Sequence, residues 1–352
     1  MSTSKKFIPF DQLGNEDAII VDGTHSKGLI LSHWRGVNNH VDIQHDTSTG
    51  IVLNALRKNF NELGKQNITA THFDIDGFLG VWSLFNPEIA LENENLLKEM
   101  SIIGDFRELD LEKPDAERAL KLVCWFDVTE KEKFYPPFGT DNSGENETEA
   151  CVKKFDYFLR NFDNVLRDPD AFRDVWEAEY NKVIKNYKTI NSWETKVERM
   201  NKIGLITIET MEPVDYYSLF SLTRGFDAVL SIYSNNRYEL EYKYTTWVDI
   251  TSRPTFPRVD FQKLVNQLNE IELSNYQWVG DDITDTGPVL RLGNDDISKS
   301  EKFSNPDERE IFPSSIEPED FKNIVYDFFR KGFSSIKPKR FWTWEEMKTL
   351  SK

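Results

Sequence analysis

The sequence predicts an α/β protein: an N-terminal domain with a parallel sheet and a helical insertion, followed by a smaller α+β domain. Three patterns in the 352 residues support this prediction. The N-terminal part alternates short apolar runs with helical segments, as parallel sheets covered by helices do. From Pro87 to about Lys202 the apolar residues have helical spacing, and beyond it they alternate with polar residues as in antiparallel strands. We expect the two domains to span residues 1–200 and 201–352.

The elements expected in the N-terminal domain follow from apolar periodicity and helix caps. Asp46 or Thr47 can cap a helix that runs through the segment TSTGIVLNALRKNF. Short apolar runs that end in polar residues predict strands, and longer patterns with a period near 3.6 predict helices. The expected strands span 17–23, 28–34 and 67–76; the further helices span 77–85, 92–103, 115–126, 149–166 and 170–188, with a polar surface loop at 139–148.

The C-terminal domain is expected to combine strands with two longer helices. Asn235 and Asn236 form a suitable hairpin turn, because asparagine tolerates the positive φ angles that such turns require. The expected strands span 204–210, 228–234 and 237–250 with another around Trp278, and the expected helices span 260–273 and 317–333.

Composition restricts the class of protein and its partners. The chain has no run of about 18 apolar residues and no apolar signal-peptide core, so we expect a cytoplasmic protein. Cys124 and Cys151 lie in dissimilar contexts, which indicates a reduced compartment without a disulfide framework. The net charge of −17 repels anions, so neither duplex nucleic acid nor a membrane is an expected partner.

The distribution of histidine indicates where chemistry takes place. All five histidines lie between His25 and His72, and aspartates are interleaved with them. Imidazole and carboxylate together are typical ligands of divalent-metal hydrolase sites. Several of these residues lie at the ends of predicted strands, where open α/β sheets bind their ligands. We therefore expect a metal site built from this part of the chain.

The segment THFDIDG, residues 71–77, is the strongest individual motif. In an extended chain His72, Asp74 and Asp76 point the same way, and Gly77 allows a tight turn into the following helix. At a strand end these side chains can converge on one or two cations. The alternative is a structural loop in which an aspartate caps the next helix and the histidine packs.

This segment resembles the first motif of DHH-type phosphoesterases, whose RecJ-like members carry H-x-D-x-D-G or D-x-D-G. The resemblance implies two Mn²⁺ or Mg²⁺ ions that activate a water molecule against a phosphoester. Asp22 in AIIVDG is similar to the second motif of the family, Ser32-His33-Trp34 to its third, Asp-His-His, and Asp46 in HDTSTG to a downstream acidic residue. Here these segments precede the H-x-D-x-D segment, which they follow in the family, so the resemblance requires a circularly permuted order.

The resemblance implies a set of site residues. His33 would be a ligand or would contact the developing negative charge, and His25 could replace the imidazole that the third motif lacks. A hydrogen-bonded core histidine and a helix cap are the alternatives for His33 and Asp46. His45 is a reserve candidate, and Asp105 is more typical of a helix end. The expected ligands of two ions about 3.5–4 Å apart are His72, Asp74, Asp76, Asp22 and Asp46.

Three arginines are candidates for binding the substrate. DHH-type enzymes have a second domain that closes over the substrate with basic side chains, and a guanidinium group binds phosphate through two hydrogen bonds. Arg253, Arg258 and Arg291 lie in the corresponding part of this chain. Structural ion pairs are the alternative role for each of them.

A second resemblance covers most of the chain. The segments VDGTH, SHWRG and HFDIDG, together with RYELEYKYTTWVDITSRPTFPRVDFQKLVNQL and TGPVLRL, are similar to an uncharacterised bacterial protein family. This resemblance implies one integrated protein and names no activity.

The expected function is that of a metal-dependent phosphoesterase that hydrolyses a small phosphorylated metabolite or nucleotide through a binuclear manganese or magnesium site. No G-x-G-x-x-G or P-loop motif is present, so neither a dinucleotide fold nor a P-loop ATPase is indicated. Two alternatives remain open. One is a metal-dependent hydrolase of a non-phosphate bond, and the other is a degenerate DHH-like protein that binds a ligand without catalysis.

Overall fold

The computed structural model of the protein contains a four-stranded parallel sheet and a six-stranded mixed sheet. Eleven helices accompany them in the part of the chain that the structure describes. The fold is therefore mixed α/β, as predicted. Within the polar loop predicted at 139–148, residues 139–146 lie outside the described residues, which are 5–134, 147–293 and 304–350.

The chain divides into two compact units. Unit 1 comprises Met1–Lys182 and the tripeptide Ile250–Ser252, and unit 2 comprises Val183–Asp249 and Arg253–Lys352. The domain boundary that we predicted at residue 200 differs from this division. Residues 183–200 belong to unit 2, where Ile190 packs into a core with Ile206 and Ile208, and the strand at residues 196–200 pairs with its neighbour in the second sheet.

The sheet of unit 1 places three strand ends side by side. It consists of β1 (Lys6–Phe7), β2 (Ala18–Val21), β3 (Leu29–Leu31) and β4 (Asn67–Ala70). All pairs are parallel, and the strand order is β1-β4-β2-β3. Val21 is in register with both Leu31 and Ala70, the last residues of the neighbouring strands. The residues that follow β2, β3 and β4 therefore begin at one edge of the sheet.

Seven helices follow the first strands. The structure differs from the predicted elements mainly at β4, which is shorter than the predicted strand 67–76, and at a separate short helix that begins at Pro87. The apolar α2 (Ile75–Phe85) packs against α1 (Ser48–Arg57) and α4 (Glu94–Phe106), and every residue of α2 up to Leu84 is buried. The helices are α1 (Ser48–Arg57), α2 (Ile75–Phe85), α3 (Pro87–Glu92), α4 (Glu94–Phe106), α5 (Ala116–Phe134), α6 (Glu147–Arg167) and α7 (Arg173–Ile190).

The second sheet lies in unit 2. Its strands are β5 (Lys196–Met200), β6 (Leu205–Thr210), β7 (Ala228–Tyr233), β8 (Arg237–Tyr242), β9 (Gln277–Gly280) and β10 (Val289–Gly293), in the order β5-β6-β7-β8-β10-β9. The predicted turn at Asn235 and Asn236 joins β7 to β8, with φ angles of 62° and 54°. β6 and β7 are parallel, although their alternation predicted antiparallel strands. A helical connection rather than a hairpin joins them, which permits the parallel pairing.

Four helices complete unit 2: α8 (Tyr216–Phe220), α9 (Gln262–Asn269), α10 (Pro318–Gly332) and α11 (Trp344–Leu350). The apolar faces of α9 and α10 share a buried core with the second sheet, in which Phe321 and Phe329 contact Tyr238 and Tyr242. Among the described residues, no helix is long and apolar enough to span a membrane.

Candidate metal centre

Three predicted site residues lie next to one another at the carboxyl edge of the first sheet. Asp22 follows β2, His33 lies two residues beyond β3, and His72 lies two residues beyond β4. The Nε2 atom of His33 is 3.3 Å from Asp22 Oδ1, and that of His72 is 3.4 Å from Asp22 Oδ2. The Asp22 carboxylate therefore lies between two imidazoles, with one oxygen facing each.

The backbone of Asp22 adopts a conformation that is uncommon for a side-chain-bearing residue. Its φ angle is 48°, in the left-handed region that aspartate tolerates better than most residues. Two hydroxyl groups hold it there: Thr71 donates to the Asp22 carbonyl at 2.8 Å, and Ser48 donates to Oδ1 at 2.7 Å. Backbone strain of this kind concentrates at functional sites.

Asp74 and Asp76 also lie near Asp22, but they belong to the start of α2 and not to an extended strand. The prediction that residues 67–76 form one strand is wrong, because β4 ends at Ala70 and Asp74 caps α2. Asp74 Oδ1 accepts the Gly77 N–H at 2.7 Å, as the capping alternative required. The other carboxylate oxygen of Asp74 lies 2.8 Å from His72 Nε2, so capping and proximity to the imidazole coexist.

Asp76 lies in the first turn of α2 and is completely buried at the N-terminus of α1. Its two carboxylate oxygens accept the N–H groups of Ser48 at 2.7 Å and Thr49 at 2.8 Å. The N-terminal end of a helix favours a negative charge in this position. Asp76 Oδ2 also lies 3.7 Å from His33 Nε2, which joins this aspartate to the cluster.

Asp105, which the sequence pattern assigned to a helix end, belongs to the same cluster. It lies in the last turn of α4, and its Oδ2 atom is 3.8 Å from His33 Nε2. This oxygen is buried and has no hydrogen-bond partner among the described residues. The only local signal was the preceding Gly104, where an added Cβ would be 2.7 Å from Ile75 Cβ, so α4 can approach the start of α2 closely.

These side chains form two groups that could each hold a metal ion, and both contain Asp22. Asp22, His33 and Asp76 make the buried group, and Asp22, His72 and Asp74 make the partly exposed group. The side chains of His72 and Asp74 are 38% and 33% exposed, against 2% for His33. Ligands about 2.1 Å from an ion lie about 3.0–3.5 Å from one another. The separations of 3.3 Å and 3.4 Å around Asp22 fit this geometry.

Both imidazoles are oriented by a hydrogen bond from Nδ1. The Nδ1 atom of His33 donates to the Asp46 carbonyl at 2.6 Å. The Nδ1 atom of His72 donates to the Thr71 hydroxyl at 3.1 Å, because that hydroxyl uses its own proton on Asp22. The neutral form of each ring therefore presents an unprotonated Nε2 to the carboxylates. Histidine ligands of metals are typically oriented in this way.

Phe73 fixes the loop that carries His72 and Asp74. Its ring packs against Phe158 with a centroid distance of 4.9 Å and against Phe155 at 5.2 Å. Anchoring Phe73 in this aromatic core holds in place the backbone between His72 and Asp74.

Proximity and burial shift the pKa values of the cluster in opposite directions. Burial raises the pKa of Asp22, but the hydrogen bond from His33 and the charge of His72 outweigh it and lower the pKa to about 2. Burial lowers the pKa of His72, but Asp74 and Asp22 raise it to about 10. Burial raises the pKa of Asp76 to about 7 against the charge of His33.

His33 and Asp105 show the same competition. Burial alone would lower the pKa of His33, yet the surrounding carboxylates of Asp22, Asp105 and Asp76 raise it well above its ordinary value. Burial also raises the pKa of Asp105 well above its usual range, in spite of the neighbouring imidazole. Without a metal ion the cluster therefore binds protons strongly.

The metal-free protein is expected to lose stability as the pH rises from about 4 to about 10. Folding raises the pKa of Asp76 to about 7 and that of His72 to about 10, so the stability gained from both protons is lost as the pH rises through these values. The lowered pKa of Asp22 acts in the opposite direction, but only as the pH falls below about 4. Thermal unfolding in chelator across this range measures the effect, and His72→Gln should show a shallower decline. A melting temperature that rises steadily with pH would contradict the expectation.

Gly23→Ala is expected to disturb the site through Thr71. An added Cβ at Gly23 would overlap Thr71 Cγ2 and lie 2.8 Å from its hydroxyl, which holds both His72 and Asp22. We expect the Mn²⁺ affinity of one ion to fall about tenfold, as for other groups that orient metal ligands. Calorimetric titration measures it. Gly64→Ala is the matched control, because nothing lies within 4 Å of an added Cβ there, and equal affinities in both variants would refute the expectation.

The remaining predicted residues of this region lie in other environments. The His25 ring contacts the backbone of Lys27, with Nδ1 3.0 Å from its carbonyl, and is in neither group of potential ligands among the described residues. The Asp46 carboxylate is likewise in neither group. The pKa of His45 is lowered to about 4, by burial and then by Lys98.

The three candidate arginines have structural partners within unit 2. Arg253 donates to Asp227 at 2.6 Å, and Arg291 donates to Asp281 at 3.0 Å. Arg258 is completely buried and donates to several backbone carbonyls and to a threonine hydroxyl. The guanidinium groups of all three arginines therefore make structural contacts, as the alternative to a role in substrate binding predicted.

Comparison with known proteins places the chain in a family. The chain belongs to DUF6687, a family of unknown function, whose model matches residues 3–340. No curated protein and no solved structure matches the chain. An activity therefore has to be inferred from the geometry of the cluster.

Proposed function

We propose that this protein is a metal-dependent phosphoesterase with a DHH-like centre of two divalent ions, Mn²⁺ or Mg²⁺, that share Asp22. The observation that carries the proposal is the position of the Asp22 carboxylate, with one oxygen in each of the two groups of potential ligands. Paired divalent ions bridged in this way are typical of phosphoester-cleaving enzymes. The segment THFDIDG contributes to both groups, as its resemblance to the first DHH motif implies.

The residues divide between the two ions by burial. His72 and Asp74 would hold the exposed ion together with Asp22, and His33 and Asp76 would hold the buried ion together with the same aspartate. One further carboxylate lies beside the buried group. It belongs to Asp105, whose Oδ2 atom is buried without a hydrogen-bond partner among the described residues and lies 3.8 Å from His33 Nε2, which suits a fourth ligand of the buried ion. Asp105 would thus be a metal ligand, the role that the resemblance implied for Asp46.

The charge of the cluster explains why a phosphate substrate would depend on the ions. Without cations the two imidazoles carry protons among four aspartates, so the cluster has no net positive charge that would attract an anionic phosphate. When bound, the ions would polarise the phosphoryl group and lower the pKa of a water molecule that attacks it. The exposed side chains of His72 and Asp74 make their side of the cluster the accessible one for a small phosphorylated metabolite or nucleotide.

A panel of phosphomonoesters, phosphodiesters and nucleotides tests this proposal with the full chain. We expect hydrolysis that requires Mn²⁺ or Mg²⁺ and stops on chelation. Asp76→Asn should abolish it, because Asp76 belongs to the buried group. Asp17→Asn is the matched control, since Asp17 is an exposed partner of Lys65. Absence of turnover on the whole panel by a metal-loaded protein would overturn the phosphoesterase assignment.

A metal-binding protein without catalysis is the second candidate, and Trp34 is the observation that favours it. The third family motif has a second histidine at this position. Here the Trp34 ring lies beside His72, with a centroid distance of 5.7 Å, and His25 does not supply an imidazole to either group. Tight binding of Mn²⁺ without hydrolysis of phosphate or non-phosphate esters would support this candidate over the phosphoesterase and over a metal-dependent hydrolase of a non-phosphate bond.

A further inference from the structure

Asp46 has two sets of contacts that point in different directions. Its backbone carbonyl accepts the Nδ1–H of His33 at 2.6 Å. Its carboxylate Oδ1 accepts the backbone N–H groups of Thr251 at 2.7 Å and Ser252 at 2.8 Å, and also the Thr251 hydroxyl at 3.0 Å. One residue therefore joins the tripeptide Ile250–Ser252 of unit 1 to a histidine of the candidate metal centre.

We propose that Asp46 is a positioning residue, whose carboxylate is anchored by Thr251 and Ser252 so that its carbonyl holds the imidazole of His33. The inference rests on the proposed function, because His33 is a ligand of the buried ion in it. It replaces the metal-ligand role that the sequence pattern predicted for the Asp46 carboxylate. The three donors that surround Oδ1 leave this oxygen committed to the tripeptide.

The orientation of the imidazole decides whether His33 can bind a cation. With Nδ1–H on the Asp46 carbonyl, the neutral ring directs the Nε2 lone pair toward Asp22 at 3.3 Å and Asp76 at 3.7 Å. If the carbonyl moves away, the ring can rotate or take the other tautomer, whose protonated Nε2 cannot bind a metal ion.

Separate hydrogen bonds hold the side chain of Asp46 and the backbone that follows it. Thr47 caps α1 by accepting the Gly50 N–H at 3.1 Å, so the chain after Asp46 is held by the helix. The bonds to Thr251 and Ser252 hold the side chain of Asp46 itself. Thr47 N–H, in the same peptide unit as the Asp46 carbonyl, donates to His45 Nδ1 at 3.1 Å. Removing the side chain of Asp46 should therefore loosen its carbonyl by the loss of one of its two anchors, while α1 stays in place.

Two substitutions at Asp46 separate positioning from charge. Asp46→Asn keeps an oxygen that can accept the three hydrogen bonds but removes the negative charge, and Asp46→Ala removes both. We expect Asp46→Ala to weaken one of two bound Mn²⁺ ions about 10–100-fold, with Asp46→Asn close to wild type. Asp42→Ala, which removes an exposed aspartate nearby, should have no effect. Equal loss in the Asn and Ala variants would overturn the positioning role, because it would indicate a ligand or a purely electrostatic effect.

A spectroscopic measurement keeps the test valid if the affinities are altered by general destabilisation. The Nδ1–H proton of His33 should give a protected imidazole resonance in ¹⁵N-histidine-labelled wild type and in Asp46→Asn, and should be lost by exchange in Asp46→Ala. Persistence of the resonance together with full Mn²⁺ affinity in Asp46→Ala would refute the inference. If the wild type binds no Mn²⁺, the proposed function fails, while the resonance still decides whether Asp46 positions His33.

Discussion

Asp22→Asn is expected to abolish tight binding of both divalent ions and to lower any phosphoesterase activity at least about a thousandfold, because metal stabilisation of the transition state is worth several kcal/mol. Asp22 is the only side chain that belongs to both groups of potential ligands among the described residues. A neutral amide replaces the shared carboxylate without a change of shape. Asparagine also tolerates the φ angle of 48°, so the backbone conformation should persist.

The measurement is the number of Mn²⁺ ions bound, from calorimetry or metal analysis after dialysis. We expect two ions in the wild type and in Asp17→Asn, the exposed control, and none at micromolar free Mn²⁺ in Asp22→Asn. Thermal unfolding in chelator checks that the variant is folded. Two ions bound with unchanged affinity in Asp22→Asn would show that Asp22 is not a shared ligand.

Mn²⁺ binding is expected to release at least two protons and to strengthen steeply as the pH rises from 6 to 8. The pKa of His72 is raised to about 10 and that of His33 lies well above its ordinary value, so both imidazoles carry a proton in the metal-free protein at neutral pH. A metal ligand must be unprotonated, so each displaced proton raises the apparent binding constant about tenfold per pH unit below the pKa. The pKa of Asp76 at about 7 adds to the effect below neutrality.

Calorimetry in buffers with different ionisation enthalpies counts the released protons. His72→Gln should remove about one proton from the count, because one imidazole no longer has to be deprotonated. His40→Gln should leave the count unchanged, since His40 is exposed and pairs with Asp42 outside the cluster. An Mn²⁺ affinity that does not change between pH 6 and 8 would indicate that neither of the two imidazoles with a raised pKa binds the ion.

The convergence of Asp22, His33 and His72 could be anticipated from sequence for a physical reason. Each follows a short apolar run, and parallel strands that lie side by side end at one edge of a sheet. The path from His72 to Asp76 was predicted less well. Alternating apolar and polar residues fit an extended strand as well as a loop that leads into a capped helix, and the cap formed by Asp74 decides between them.

Other features depend on tertiary packing that a single sequence does not encode locally. Asp105 reaches the cluster because α4 packs against α1 and α2, and its sequence context is that of any helix end. Asp46 was assigned to the metal because its segment resembles one that carries an acidic residue in DHH-type enzymes, whereas its carboxylate binds Thr251, more than two hundred residues away. The parallel pairing of β6 with β7 likewise depends on the connection between them, since alternation indicates which face is buried but not the direction of the partner.

The central claim is that Asp22 bridges two divalent ions, and anomalous diffraction from crystals of the Mn²⁺-loaded protein tests it most directly. We expect two peaks about 3.5–4 Å apart, one on each side of the Asp22 carboxylate. One peak should lie near His33 and Asp76, and the other near His72 and Asp74. No peak, or a single peak that Asp22 does not contact, would contradict the claim.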